Sequence, residues 1–230
     1  MLAKTQTFWR ESWKQHFAEY LSYTPFQAYY LYCLLERSDT QLLEIAGGSF
    51  HDTSCLNEWG ISCTGIDLCA DVVQMARYKN RYLRHKVFVM DAKNMDFKDK
   101  SFDVSFHNGF FVNFTDDDEI RGLLQEQVRV TKRLIVCSVH NQLNNHLIEK
   151  FENFSAVDDL YNIRFYTPEK LKELLRLFCR EVKILPLQTP EFDQMIVTTQ
   201  ARDFVKAIYS RYYHAIDLTC CKRLMAVGFL

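Results

Sequence analysis

Residues 42–50 read Leu42-Leu43-Glu44-Ile45-Ala46-Gly47-Gly48-Ser49-Phe50, a short apolar run that stops at a carboxylate and then at two adjacent glycines. An apolar run of this length suits a buried parallel strand, and the glycines supply a tight turn where backbone can approach a ligand closely. A second apolar run, Ile61 to Ile66, ends at Asp67. Asp67 follows Gly48 by 19 positions (67 − 48 = 19), near the roughly 20 that separate a glycine turn from a ribose-binding carboxylate in a βαβ nucleotide unit. The spacing predicts a nucleoside ligand.

Outward from that unit, helices are expected over His51–Trp59 and Asp71–Tyr82, and strands over Val87–Met90, Phe102–Phe106 and Leu134–Val139. Each strand ends in polar groups: Glu44, Asp67, Asp91, His107 with Asn108, and His140 with Asn141. Polar residues gathered at the carboxyl ends of parallel strands share one rim of an open sheet, where doubly wound α/β folds bind their ligands. A helix should open at Thr115, ahead of Asp116, Asp117 and Asp118. An irregular stretch is expected over 151–166, then a helix capped by Thr167 with Pro168 in its first turn. Val182–Leu187 and Arg223–Leu230 read as final strands, with a helical insertion over 189–222 that includes a helix at Arg202–His214.

Ahead of the first strand, residues 1–40 form a helical cap on the 42–141 core. Phe8–Leu21 is amphipathic, and a second helix begins at Thr24-Pro25-Phe26-Gln27 and runs to about Arg37. Thr24 is placed to cap it and Gln27 to complete a capping box. Trp9, Tyr20, Tyr23 and Tyr29 either cover the sheet edge or roof a pocket.

The 230 residues suit a single domain, and no repeat or Pro/Gly/Ser-rich linker divides them. Lys and Arg total 28 against 29 Asp and Glu, so the net charge of −1 gives no pull toward nucleic acid or an anionic membrane. A basic cluster, Arg77 to Lys86, reads as a solvated helix face. Eight cysteines lie scattered without metal-ligand spacing, as in a protein of a reducing compartment. Met1–Arg10 has no apolar signal core, and no apolar run approaches a membrane span. The expectation is a cytoplasmic protein; nothing in the sequence specifies an oligomeric state.

NAD and S-adenosylmethionine both suit a strand, a glycine turn and a downstream acid. Gly47-Gly48-Ser49-Phe50 lacks the three-glycine dinucleotide fingerprint, and Asp52 would stand close to a pyrophosphate. S-adenosylmethionine has no phosphate: polar groups of the first turn suit its amino group, Asp67 its ribose diol and Asp91 its adenine amino group.

The order Leu42 to Gly48, Gly65-Ile66-Asp67-Leu68, Met90-Asp91-Ala92 and Ser101-Phe102-Asp103-Val104 resembles the class I S-adenosylmethionine-dependent methyltransferases. The resemblance continues through Arg129 to Asn141 and Phe165 to Leu171. It implies a Rossmann-like α/β sheet of seven strands with the last antiparallel. It also implies S-adenosyl-L-methionine as cofactor, held by Glu44, Ala46, Gly47, Gly48, Ser49, Asp52, Asp67, Leu68, Asp91, Ala92, His107 and Asn108. Two family glycines are replaced, by Ala46 and Phe50, and the bulk of Phe50 is expected to narrow the methionine end of the pocket. Methyl transfer is an in-line displacement that needs alignment more than a catalytic group, with His107 or His140 as candidate bases. The resemblance implies a small-molecule acceptor; the alternatives are RNA or protein methylation, and a catalytically silent interaction subunit. The acceptor is expected to be set by the N-terminal helices, 110–114, 151–166 and the insertion helix.

Overall fold

A computed structural model describes residues 4–230, so the first three residues of the expected cap lie outside it. The run at Leu42 forms β1 (Gln41–Ile45), paired in parallel with β2 (Ser62–Asp67) and β4 (Phe102–Asn108). β3 (Val87–Val89) lies outside β2, and β5 (Thr131–His140) lies outside β4. β6 (Glu181–Leu187) and β7 (Arg223–Phe229) complete a seven-stranded sheet of order β3-β2-β1-β4-β5-β7-β6, in which β7 is antiparallel to both neighbours. The connections reverse direction between β1 and β4, the switch point at which such sheets open a crevice.

One face of the sheet is covered by α2 (Phe26–Leu34), α3 (His51–Glu58), α8 (Pro190–Thr199) and α9 (Arg202–Tyr212), whose Leu31, Leu56, Phe192 and Tyr209 share a core with Leu42, Val104 and Met225. The other carries α5 (Asp117–Val130) and α7 (Pro168–Arg176). At the β3 end, α1 (Gln6–Ser22) packs on α4 (Ala70–Lys79) through Phe17, Val72 and Val73. No helix among the described residues is long and apolar enough to cross a membrane.

Several local expectations change. Thr24 does not cap α2, and the Gln27 side chain is buried with no partner for either amide atom. Asp52 of α3 supplies the cap from outside, its Oδ1 accepting from the Ala28 N–H at 3.0 Å. α5 is capped by Asp116 rather than Thr115, while Thr167 caps α7 as expected. The segment expected to be irregular begins inside α6 (Asn145–Ser155), whose Leu147, Ile148, Phe151 and Phe154 do fall at helical spacing. The insertion holds two helices, α8 and α9, where one was expected.

The turn after β1 keeps a left-handed backbone at Ala46, Gly48 and Phe50, with φ of 53°, 54° and 54°. An L side chain costs about 1–2 kcal/mol in this region, so Ala46 and Phe50 hold the glycine geometry under strain. Phe50 offsets this by burying its ring completely, in a cluster with Phe17, Val72, Val73 and Val87. Room for the ring comes from Gly47 and Gly65, where a Cβ would stand 2.3 and 2.5 Å from it. The expectation that Phe50 obstructs the ligand pocket is therefore corrected: the ring lies beneath the turn, and Phe50 is absent from the pocket lining.

Strand alternation sorts the remaining rim residues. Asn108 follows Val104 and Phe106 in register toward the face covered by α2 and α3, whereas His107 points the other way with Ser105, beneath α5. His107 is buried against Phe111, at 4.1 Å between ring centroids, and among the described residues neither ring nitrogen has a partner. Burial, with Arg223 nearby, lowers its pKa to about 3. His107 is corrected on both counts: it does not reach the cavity as a base or as a cofactor contact.

Ala46→Gly is expected to gain about 1 kcal/mol by relieving the left-handed backbone, and Phe50→Ala to lose about 3–5 kcal/mol through the cavity it leaves, both measured by urea unfolding. A neutral buried His107 contributes stability that is present above the unfolded pKa near 6.5 and lost as pH falls toward the folded value of about 3. His107→Leu should therefore flatten the acid limb of stability against pH by one proton, with no loss of stability at pH 7.

Candidate active site

A cavity of about 1340 Å³ runs along the carboxyl rim, from Asp67 and Asp91 at one end to His140 and Arg223 at the other. Its lining includes the predicted residues Glu44, Ala46, Gly47, Ser49, Asp52, Asp67, Leu68, Asp91, Ala92, Asn108 and His140. Gly48 lies just behind, under the Trp13 indole, which occupies the space a Cβ would need at 2.1 Å.

Asp67 is positioned as the spacing predicts. Its Oδ2 accepts from the Gly48 N–H at 3.0 Å and its Oδ1 from the Cys69 N–H at 2.9 Å. Each oxygen keeps a lone pair for a further donor, and burial raises the carboxyl above its usual range despite these bonds. Asp91 holds the Lys93 N–H with one oxygen and, among the described residues, leaves the other without a partner. Leu68, Met90, Ala92 and Phe110 supply apolar wall beside these acids. A ribose diol and an adenine fit this end: paired acceptors for the sugar, flat apolar surface for the base, and a carboxylate for the amino group.

Below the turn, Glu44 is 2% exposed and accepts from the Thr53 N–H and hydroxyl, which joins β1 to the first turn of α3. Asp52 accepts from Ala28 N–H with one oxygen and from Asn108 Nδ2 at 3.1 Å with the other. Burial raises both carboxyls, and the Asp52 charge raises Glu44 further. A cationic ligand is the natural complement to such a pair, so the donor set fits the ammonium and sulfonium of S-adenosylmethionine and would oppose a pyrophosphate.

At the far end, His140 packs against Phe151 and Phe165, with ring centroids at 4.7 and 5.8 Å. Burial first, and the Arg223 charge second, hold its pKa well below the ordinary value, so it is neutral. Trp9, Trp13, Tyr20 and Tyr23 roof the cavity from the N-terminal helices, whereas Tyr29 packs on Trp59 at 4.7 Å. Phe110, Phe114, Phe151, Phe154 and Tyr161 add further aromatic wall. None of the residues 189–222 reaches the cavity; α9 braces α2 instead, with the Tyr209 ring 5.1 Å from Tyr30.

Among the lining residues that the sequence did not point to, Gln27 and Arg223 stand out. Gln27 was assigned to a helix cap, and Arg223 to a strand start. Because β7 alone runs antiparallel, its first residue, not its last, stands on the rim, opposite His140 in register. The antiparallel last strand was expected, so this placement was available from the sequence.

A family model described as a methyltransferase domain matches residues 43–135, from β1 into β5. Comparison with curated protein sequences gives no match. Among solved structures, the chain resembles a methyltransferase from Archaeoglobus fulgidus described as SAM-dependent, at TM-score 0.63 and 18% identity over 89% of this chain and 92% of that one. It also resembles a possible histamine N-methyltransferase from Thermotoga maritima, at TM-score 0.64 and 18% identity over 97% of each chain. A third is geranyl diphosphate C-methyltransferase from Streptomyces coelicolor, solved with S-adenosyl-L-homocysteine, at TM-score 0.57 and 14% identity over 88% and 76%. At these identities the structural likenesses speak for the fold. The matched methyltransferase domain and the acids at the ends of β1, β2 and β3 thus lie on the fold that these S-adenosylmethionine-dependent methyltransferase structures share.

Proposed function

We propose that the protein transfers the methyl group of S-adenosylmethionine to a small-molecule acceptor bound in the β4–β5–β7 half of the cavity. One observation carries this reading: beyond the cofactor end, the cavity continues into a chamber roofed by α1 and α6 and walled by Tyr20, Phe151, Phe154 and Tyr161. Aromatic side chains on several elements that close over one recess suit a compact, partly apolar molecule. A polynucleotide would need an open basic face, and the chain's near-neutral charge does not favour one.

Cofactor binding is assigned to Asp67 at the ribose, Asp91 at the adenine amino group, and Ala46, Gly47 and Ser49 with the Glu44 and Asp52 carboxylates at the amino-acid end. S-adenosylmethionine supplies an activated methyl carbon, and the protein aligns the acceptor and excludes water. His140 is the base candidate: neutral at physiological pH, it can take a proton from an acceptor hydroxyl or ammonium.

Titration calorimetry should detect S-adenosylmethionine binding, and Asp67→Ala should weaken it about tenfold or more, since two ribose hydrogen bonds are lost. Glu44 and Asp52 have raised pKa values, so their ionised forms, which attract the cationic ligand, grow in as pH rises. Affinity for S-adenosylmethionine relative to the uncharged thioether of S-adenosylhomocysteine should therefore increase with pH. No binding of either compound would support a silent relative. With labelled cofactor, label should pass to the small-molecule fraction of a cell extract; transfer confined to RNA or protein would overturn the acceptor class. The depressed His140 pKa also predicts no acid limb near pH 6.5 in the rate profile, because its base form persists well below that pH.

A further inference from the structure

Glu44, Asp52, Asp67 and Asp91 line the cavity near its cofactor end, and Arg223 stands toward the other. The guanidinium of Arg223 donates through Nη1 to Asn108 Oδ1, and Asn108 donates in turn to Asp52 Oδ2 at 3.1 Å. The amide thus stands between cation and carboxylate, and among the described residues Arg223 has no carboxylate within salt-bridge distance. Its Nε is shut from solvent without a partner. Gly109, at φ +80°, keeps a slot open for the group: a Cβ there would lie 2.5 Å from Nη2. Burial lowers Arg223 to about 10, which leaves it cationic at neutral pH.

Gln27 is a second, independent sign of a missing ligand. It is 3% exposed, lines the same cavity, and among the described residues has no partner for its Oε1 or its Nε2. Buried amides and guanidinium groups without partners destabilise a fold, and a ligand that supplies the partners removes that cost. Both residues belong to the half of the cavity away from Asp67 and Asp91. Arg223 opens β7 opposite His140 of β5 and Leu187 of β6, and Gln27 lies one turn before Tyr30, whose hydroxyl accepts from the Thr189 N–H just past β6.

We propose that Arg223 and Gln27 recognise a carboxylate on the methyl acceptor, so that the substrate is an organic acid with an apolar or aromatic body. With Nη1 held by Asn108, the guanidinium leaves Nη2 and Nε as its donors to a carboxylate, and the Gln27 amide adds a neutral donor. Aromatic walls from Tyr20 and Phe151 then enclose the body of the acid. This proposal rests on the reading of that half-cavity as the acceptor chamber.

Titration calorimetry of the full chain, with and without saturating S-adenosylhomocysteine, tests it with benzoate, phenylacetate and octanoate as probes and their uncharged amides as controls. At least one acid should bind and its amide bind about tenfold more weakly or worse, the scale of a charged hydrogen-bonded pair. Arg223→Met should abolish acid binding while S-adenosylhomocysteine affinity stays within about threefold. Arg223→Lys keeps the charge but not the fork and should retain part of it; with Gln27→Leu, it serves if the methionine variant does not fold. The proposal is overturned if no acid binds the wild type, or if acids bind Arg223→Met as tightly as wild type. It is also overturned if Arg223→Met weakens S-adenosylhomocysteine tenfold but leaves methylthioadenosine unchanged, since the arginine would then hold the carboxylate of the cofactor. Failure of the wild type to bind S-adenosylhomocysteine would instead sink the methyl-transfer reading, and the titrations without cofactor would still decide the role of Arg223.

Discussion

The Asp52 carboxylate is the constraint on which the rest of the site depends. Buried at the start of α3, it accepts from the first turn of α2 with one oxygen and from Asn108 at the end of β4 with the other. The helical cap, the first crossover helix and the central strands thus meet on a single side chain. Through Asn108 the same carboxylate fixes the orientation of Arg223. A buried ionisable acid is costly to the fold, and its raised pKa records that cost. A glycine turn bounded by Asp52 and Glu44 is an environment in which a cationic ligand lowers the energy and a phosphate would raise it.

The turn itself separates backbone requirement from side-chain identity. Left-handed torsions at residues 46 and 50 are those glycine adopts freely, yet alanine and phenylalanine adopt them here. Phe50 can do so because its ring fills a space vacated by Gly47 and Gly65 and is buried against α1 and α4. Loss of a glycine is thereby converted into packing that anchors the N-terminal helix, and the ligand side of the turn stays open. Trp13 covers the same turn from above, so α1 is held to the cofactor end of the cavity by aromatic contact with the backbone.

Electrostatically the cavity has two ends. Buried acids on β1, β2 and α3 gather at one; the buried Arg223 and a neutral His140 stand at the other, with Glu19 and Lys150 at its rim. Burial, with the Arg223 charge beside it, keeps the His140 imidazole unprotonated, which suits a proton acceptor more than an anion-binding cation. The asymmetry follows from chain direction: parallel strands bring their carboxyl ends to the rim, and β7 brings its amino end.

Much of this was legible in residues. The run Leu42 to Gly48, the 19-position spacing to Asp67 and the polar strand ends pointed to a doubly wound sheet with a nucleoside crevice, because a short apolar run that stops at glycines suits a central strand and places the acid beside the turn. The fate of His107 was also encoded, in its alternation with Val104 and Phe106, although proximity to a strand end masked it. Tertiary structure alone decided three matters. Phe50 turned beneath the loop because Gly65, on a different strand, leaves space for its ring. Gln27 left its own helix cap to line the cavity because Asp52, 24 residues away from Ala28, supplied the cap instead. Arg223 met Asn108 across 115 positions of chain. A local pattern specifies which residues are buried or polar, but whether a buried polar group finds its partner depends on which distant segments pack against it.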